Sequence, residues 1–99
     1  MTIRHIVAWQ LATGDTAERA AQAARITAEL GALRGVVPEI LEITVGPDIV
    51  GDGNWDVALI VDVADRAALD AYQRHPAHQA VVAYVRSVVS GRVAVDVEV

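Results

Sequence analysis

Apolar and polar positions alternate along Ile3 to Leu11, which predicts a strand. Ile3, His5, Val7, Trp9 and Leu11 fall on one face, and Arg4, Ile6, Ala8 and Gln10 on the other. The second face has an apolar centre in Ile6 and Ala8, so cover is expected on both sides. Thr13-Gly14-Asp15 reads as a turn into a helix, with Asp15 or Thr16 as cap and Glu18 at the capping-box spacing from Asp15. Ala23, Ile26, Leu30 and Leu33 recur at helical spacing, which carries the helix to about Leu33. Gly31, Gly35 and Pro38 then oppose continuation. A second strand is expected over 39–45, with Leu41, Ile43 and Val45 sharing a face. The glycine-bearing stretch from Gly46 to Asn54 is the longest irregular segment and the lid candidate; no Gly-Lys-Ser/Thr follows, so it is not a phosphate loop.

The strongest strand pattern lies over 55–63. Val57, Leu59, Val61 and Val63 share one face, and Ala58 and Ile60 make the other apolar, as in a central strand buried on both sides. Asp65 can cap a second helix from about Arg66 to His75, which Pro76 breaks. Ala77 to about Val89 then reads as helical through Val81, Val82, Val85 and Val88, with Ser90-Gly91 as its stop. In the last strand, 92–99, Val93, Val95, Val97 and Val99 alternate with Arg92, Ala94, Asp96 and Glu98.

This order, β-α-β-β-α-β, is the ferredoxin-like α+β arrangement: a four-stranded antiparallel sheet with its helices on one face. The opposite face, with Ile6, Ala8, Ala58 and Ile60, is too apolar to stay wet. Two sheets packed face to face would cover it, so a homodimer forming an α+β barrel is expected. Composition points the same way. The 99 residues make one domain, 1–99, whose surface-to-volume ratio favours polarity, yet 54% of the chain is hydrophobic and only 21% charged.

A net charge of −5 argues against nucleic acid and against an anionic membrane surface as partners. There is no cysteine, hence no disulfide or thiolate metal site. No apolar run approaches the ~20 residues of a membrane span, and Met-Thr-Ile-Arg-His lacks signal-peptide character. A soluble cytoplasmic protein is expected.

Candidate chemistry concentrates in Tyr72-Gln73-Arg74-His75-Pro76-Ala77-His78-Gln79. On one unbroken helix Tyr72 and His78 would be offset by roughly 120°; a break at Pro76 can bring them together. An imidazole titrates near neutrality and suits a general base, and a phenol can donate to a developing oxyanion. The plainer alternative is that Tyr72 packs its ring and His78 satisfies a helix start. His75, ahead of proline, reads as a structural residue of the broken turn. His5, with Val7 and Trp9 beside it on the strand face assigned to a cavity and Leu59 nearby, is either a satisfied core histidine or a ligand-orienting one. No Asp or Glu has a clear place near the three histidines, so no metal is expected. Asp62, Asp65, Asp70, Asp96 and Glu98 read as surface carboxylates. Arg86 and Arg92 either pair with such acids or meet an anionic substrate.

Ile3-Arg4-His5-Ile6-Val7, Asp56-Val57-Ala58-Leu59-Ile60, Ala71-Tyr72, His75-Pro76-Ala77-His78-Gln79-Ala80-Val81, and Arg92-Val93 with Asp96 together resemble the stress-responsive α/β-barrel (Dabb) family, over essentially the whole chain. The resemblance implies the dimeric barrel. Through the branch typified by olivetolic acid cyclase, it implies a cofactor-independent cyclase, isomerase or lyase acting on a polyketide-like or aromatic carbonyl compound. Tyr72 and His78 match that branch's catalytic pair, and His5 its pocket histidine. The large aromatics of its pocket are replaced by Ala23, Ala24 and Thr27 on the first helix and by Val81 and Val82 later. The expected ligand-binding set is then His5, Val7, Trp9, Leu59, His75 and Val81, with Tyr72 and His78 catalytic and no cofactor. A non-catalytic ligand-binding or stress-responsive barrel is the alternative. A haem-dependent monooxygenase, found elsewhere in the superfamily, would need an axial histidine facing an open cavity.

Overall fold

The computed structural model describes residues 1–99. Seven elements follow in order: β1 (Ile3–Leu11), α1 (Thr16–Gly31), β2 (Glu42–Pro47), β3 (Val57–Val63), α2 (Arg66–Arg74), α3 (Pro76–Val88) and β4 (Val89–Glu98). The strands form one antiparallel sheet in the order β2-β3-β1-β4. The expected ferredoxin-like βαββαβ fold is therefore the fold observed, with the second helical unit divided at Pro76. No helix is long and apolar enough to cross a membrane.

The alternation in β1 decides which face is core. Ile3, His5, Val7, Trp9 and Leu11 are all buried, and on β3 so are Val57, Leu59, Val61 and Val63. Ile26 and Leu30 of α1, Tyr72 of α2, and Val81 and Val85 of α3 close over this face. Ile26 has no exposed surface, and burying a side chain of that size contributes about 1.5–3 kcal/mol. Asp15 caps α1 by accepting from the Glu18 N–H at 2.8 Å, and Asp65 caps α2 through the Ala68 N–H at 2.8 Å. Asp56 fastens the first turn of α1 to the sheet. It accepts from Arg19 and from the Leu11 N–H, the latter at 2.8 Å.

Several boundaries differ from expectation. α1 ends at Gly31 rather than Leu33, because Leu33 and Val37 reach the core from a turn that Gly35 completes with φ 77°. β2 starts at Glu42 and runs through Pro47, where an edge strand tolerates a missing N–H. β3 begins at Val57, not Trp55. Ser90 and Gly91 are not a helix stop but the opening of β4, which follows α3 with no loop. β3 is central in order, yet within this chain it is covered on one face only. Ile60 is 38% exposed, and it continues outward into Val93, Val95 and Val97 at 50%, 57% and 38%. The Ile6↔Ile60, Ile6↔Val95 and Ala8↔Val93 register makes these one apolar surface.

Candidate functional site

The break between α2 and α3 builds the site. Pro76 takes the first position of α3, where its missing N–H costs nothing, and it forces His75 into extended backbone at φ −59°, ψ 133°. The His75 Nδ1 accepts from the Ala77 N–H at 3.1 Å, so this imidazole caps α3. The change of helix direction sets the Tyr72 and His78 rings side by side, with centroids 4.5 Å apart. Tyr72 also meets His5 edge-on, at 6.3 Å between centroids.

Both imidazoles have a fixed outer nitrogen. His78 Nδ1 lies 3.1 Å from the Gln73 carbonyl. A carbonyl only accepts, so Nδ1 carries the hydrogen and Nε2 carries the lone pair in the neutral ring. His5 Nδ1 stands 2.5 Å from Asp96 Oδ1. Its ring is buried while the Asp96 carboxylate is half exposed, and since a carboxylate likewise only accepts, Nδ1 carries the hydrogen. Asp96 is thus not a free surface acid: the His5↔Asp96 register across β1 and β4 places a carboxylate against a histidine that was expected to have none nearby.

Burial pulls the His78 imidazole below its ordinary value, against the Gln73 carbonyl; the fields of His5, Arg92 and His75 act the same way as burial. A neutral His78 is the form a general base needs. Burial pushes the Tyr72 phenol up to about 12, so it remains a proton donor across the physiological range. The Tyr72 hydroxyl is enclosed and makes no hydrogen bond, an uncommon state for a buried polar atom.

A cavity of about 540 Å³ opens beside this cluster, between β1, β4 and α3. His5, Val7, Trp9, Leu59 and His78 line it, as do Val82, Val85, Arg86 and Arg92. Three expected members are elsewhere. Tyr72 lies behind the wall, in contact with His78 and His5, with no exposed surface. His75 is turned to the α3 cap, and Val81 faces the core one residue from Val82, which takes the wall position. Of α1, Leu30 reaches the cavity; Ala23 is core and the Thr27 hydroxyl bonds the Ala23 carbonyl. Gln73, Gln79 and Ser90 complete the polar lining; the glutamines were missed because glutamine carries no sequence signal for a site, and Ser90 because it read as a helix stop.

A single antiparallel sheet backed by helices, with a histidine-lined cavity between them, defines the class as ferredoxin-like α+β. The model of the stress responsive A/B barrel domain (Dabb) matches residues 3–99, and the chain belongs to that family. A dimeric ferredoxin-like protein of unknown function from Thermobifida fusca is 30% identical, with a TM-score of 0.86 over 100% of this chain and 92% of that one. One from Bacteroides fragilis, also described as dimeric, is 23% identical, with a TM-score of 0.92 over 99% and 96%. The hydroxynitrile lyase of Passiflora edulis shares the fold at 18% identity, with a TM-score of 0.80 over 99% and 93%. No curated protein matches the chain.

Proposed function

We propose that the chain binds a small carbonyl compound, polyketide-like or aromatic, in the cavity beside His5 and His78 and transforms it by proton transfer without a redox cofactor. His78 Nε2 takes a proton from carbon or oxygen. The Tyr72 phenol donates to the oxyanion as it forms, and His5, held by Asp96, orients the ligand. The reaction class is a cyclisation, isomerisation or lyase step. The observation that carries this reading is the pairing of a cavity-lining imidazole with a phenol whose hydroxyl has no partner. A substrate oxygen reaching Tyr72 would supply the missing acceptor; this requires a small outward shift of the ring or of His78. That the same fold hosts a hydroxynitrile lyase is consistent with carbonyl chemistry, although fold alone assigns none.

The test is turnover of a panel of β-dicarbonyl and cyanohydrin substrates by the wild type, His78→Ala and Tyr72→Phe. Loss in both variants supports the reading, and equal turnover in all three ends it. A second reading, a non-catalytic ligand-binding barrel, draws on the enclosure of Tyr72 behind the cavity wall. It expects ligand binding without turnover.

The functional unit in this reading is a cytoplasmic homodimer. Ile60, Val93, Val95 and Val97 expose the apolar side of the sheet, and a second copy related by a twofold axis would bury that face. Relatives described as dimeric support it.

A further inference from the structure

We propose that the compound held in this cavity carries a carboxylate, and that Arg86 and Arg92 grip it from two sides. This rests on the cavity being a binding site, as argued above. The chain has 13 acidic side chains against eight basic ones, all arginine. In such a protein an unpaired cation is the exception: Arg4, Arg19, Arg25, Arg34 and Arg74 each hold a carboxylate. Arg66, Arg86 and Arg92 do not, and of these Arg86 and Arg92 both line the histidine cavity.

The lining contains no Asp or Glu at all. An acidic chain has therefore set aside a recess with two guanidinium groups, two imidazoles and the amides of Gln73 and Gln79. Arg86 comes from the last turn of α3, and Arg92 from β4 opposite Trp9. Approach from two elements suits a planar, delocalised anion accepting from two forks.

The rest of the recess selects what is attached to that anion. Val7, Trp9, Leu59, Val82 and Val85 form an apolar wall for an aryl or alkyl body. The anionic end sits at the C-terminus of α3, whose dipole opposes negative charge. Two forks on opposite sides match the two oxygens of a planar carboxylate, one fork to each, and a phosphate ester is the competing outcome of the test. Both arginines remain largely in contact with solvent, so the preference is moderate and falls with added salt.

The experiment measures binding, not turnover. Calorimetric titration with 2-naphthoate, 2-naphthamide and 2-naphthyl phosphate compares one apolar body bearing a monoanion, a neutral isostere and a phosphate. Naphthoate is expected to bind about tenfold tighter than naphthamide at low salt. Arg86→Gln and Arg92→Gln each reduce that ratio and together remove it; Arg66→Gln, outside the cavity, leaves it intact. Equal binding of acid and amide overturns the inference while leaving the cavity as a binding site. A ratio that survives the double variant, or falls equally with Arg66→Gln, overturns it too. Tighter binding of the phosphate overturns the choice of carboxylate. Failure of all three probes to bind removes the cavity reading and this inference together. Thermal melts of each variant establish that it is folded.

Discussion

The rings of Tyr72 and His78 touch across a helix break, their centroids 4.5 Å apart with planes inclined at 50°. Because the phenol hydroxyl is enclosed and unbonded, the cost of burying it is uncompensated in the free protein. Tyr72→Phe is therefore expected to leave stability unchanged or raise it by about 1 kcal/mol, with turnover lowered by about 10²-fold or more if the phenol serves as oxyanion donor. Denaturant melts and initial rates read the two effects separately. A destabilised Phe variant would mean that the hydroxyl has a structural partner.

His78 has the opposite pH signature from a salt-bridged histidine. Burial lowers its folded pKa, so between that value and the unfolded value near 6.5 the unfolded chain binds more protons. Stability therefore rises with pH through this window and is lost as pH falls below about 6.5, levelling off under the folded pKa. The His78 ring signals should titrate with a midpoint below 6.5 by NMR. The acid limb of kcat/KM should follow that midpoint, and His78→Ala should flatten the stability change.

Tyr72 gives the mirror case at alkaline pH. Its phenol is raised to about 12 in the fold, against about 10 when unfolded. The folded state holds the proton longer, so stability falls as pH climbs from about 10 towards 12. Tyrosinate absorbance, taken as the difference between wild type and Tyr72→Phe, should show the late midpoint.

His75 separates structure from binding. It caps α3 and does not reach the cavity. His75→Ala is expected to cost about 1 kcal/mol, as loss of a helix cap does, or roughly 4–8 °C in Tm for a domain of this size. Naphthoate affinity should be unchanged. A large loss of affinity at unchanged Tm would contradict the assignment.

The apolar outer face makes a prediction about association. Val95→Asp places a charge in the middle of the surface formed with Ile6, Ile60 and Val93. Light scattering should report a dimer for the wild type and a monomer for the variant at micromolar concentration. A wild-type monomer would remove the homodimer from the proposed function.

The fold was legible because each strand displays one face to the helices, and a period of two records that directly. In β1 even the outlier was informative, since His5 stands where only apolar residues would otherwise be placed. The Pro76 break was equally plain, because proline acts on its own backbone and on the residue before it. What stayed hidden depends on relations between elements. The contact of His5 with Asp96 is fixed by the β1–β4 register, which neither strand's own pattern contains. The end of α1 was overrun because Leu33 and Val37 remain buried after the helix stops. Val81 and Val82 are indistinguishable by composition. Only the rotation of α3 about its axis puts one in the core and the other on the cavity wall.

The absence of any loop between α3 and β4 has a consequence for how this protein can change. Val88 ends the helix, its carbonyl accepts from the Ala12 N–H at 2.9 Å, and Val89 is already strand. One extra residue past the register shift that already lies opposite Gln10 and Leu11 would displace everything after it by a single step. Valines would then turn inward while Arg92 and Asp96 moved to the greasy side. Ligand chemistry and self-association are thus tied to one joint.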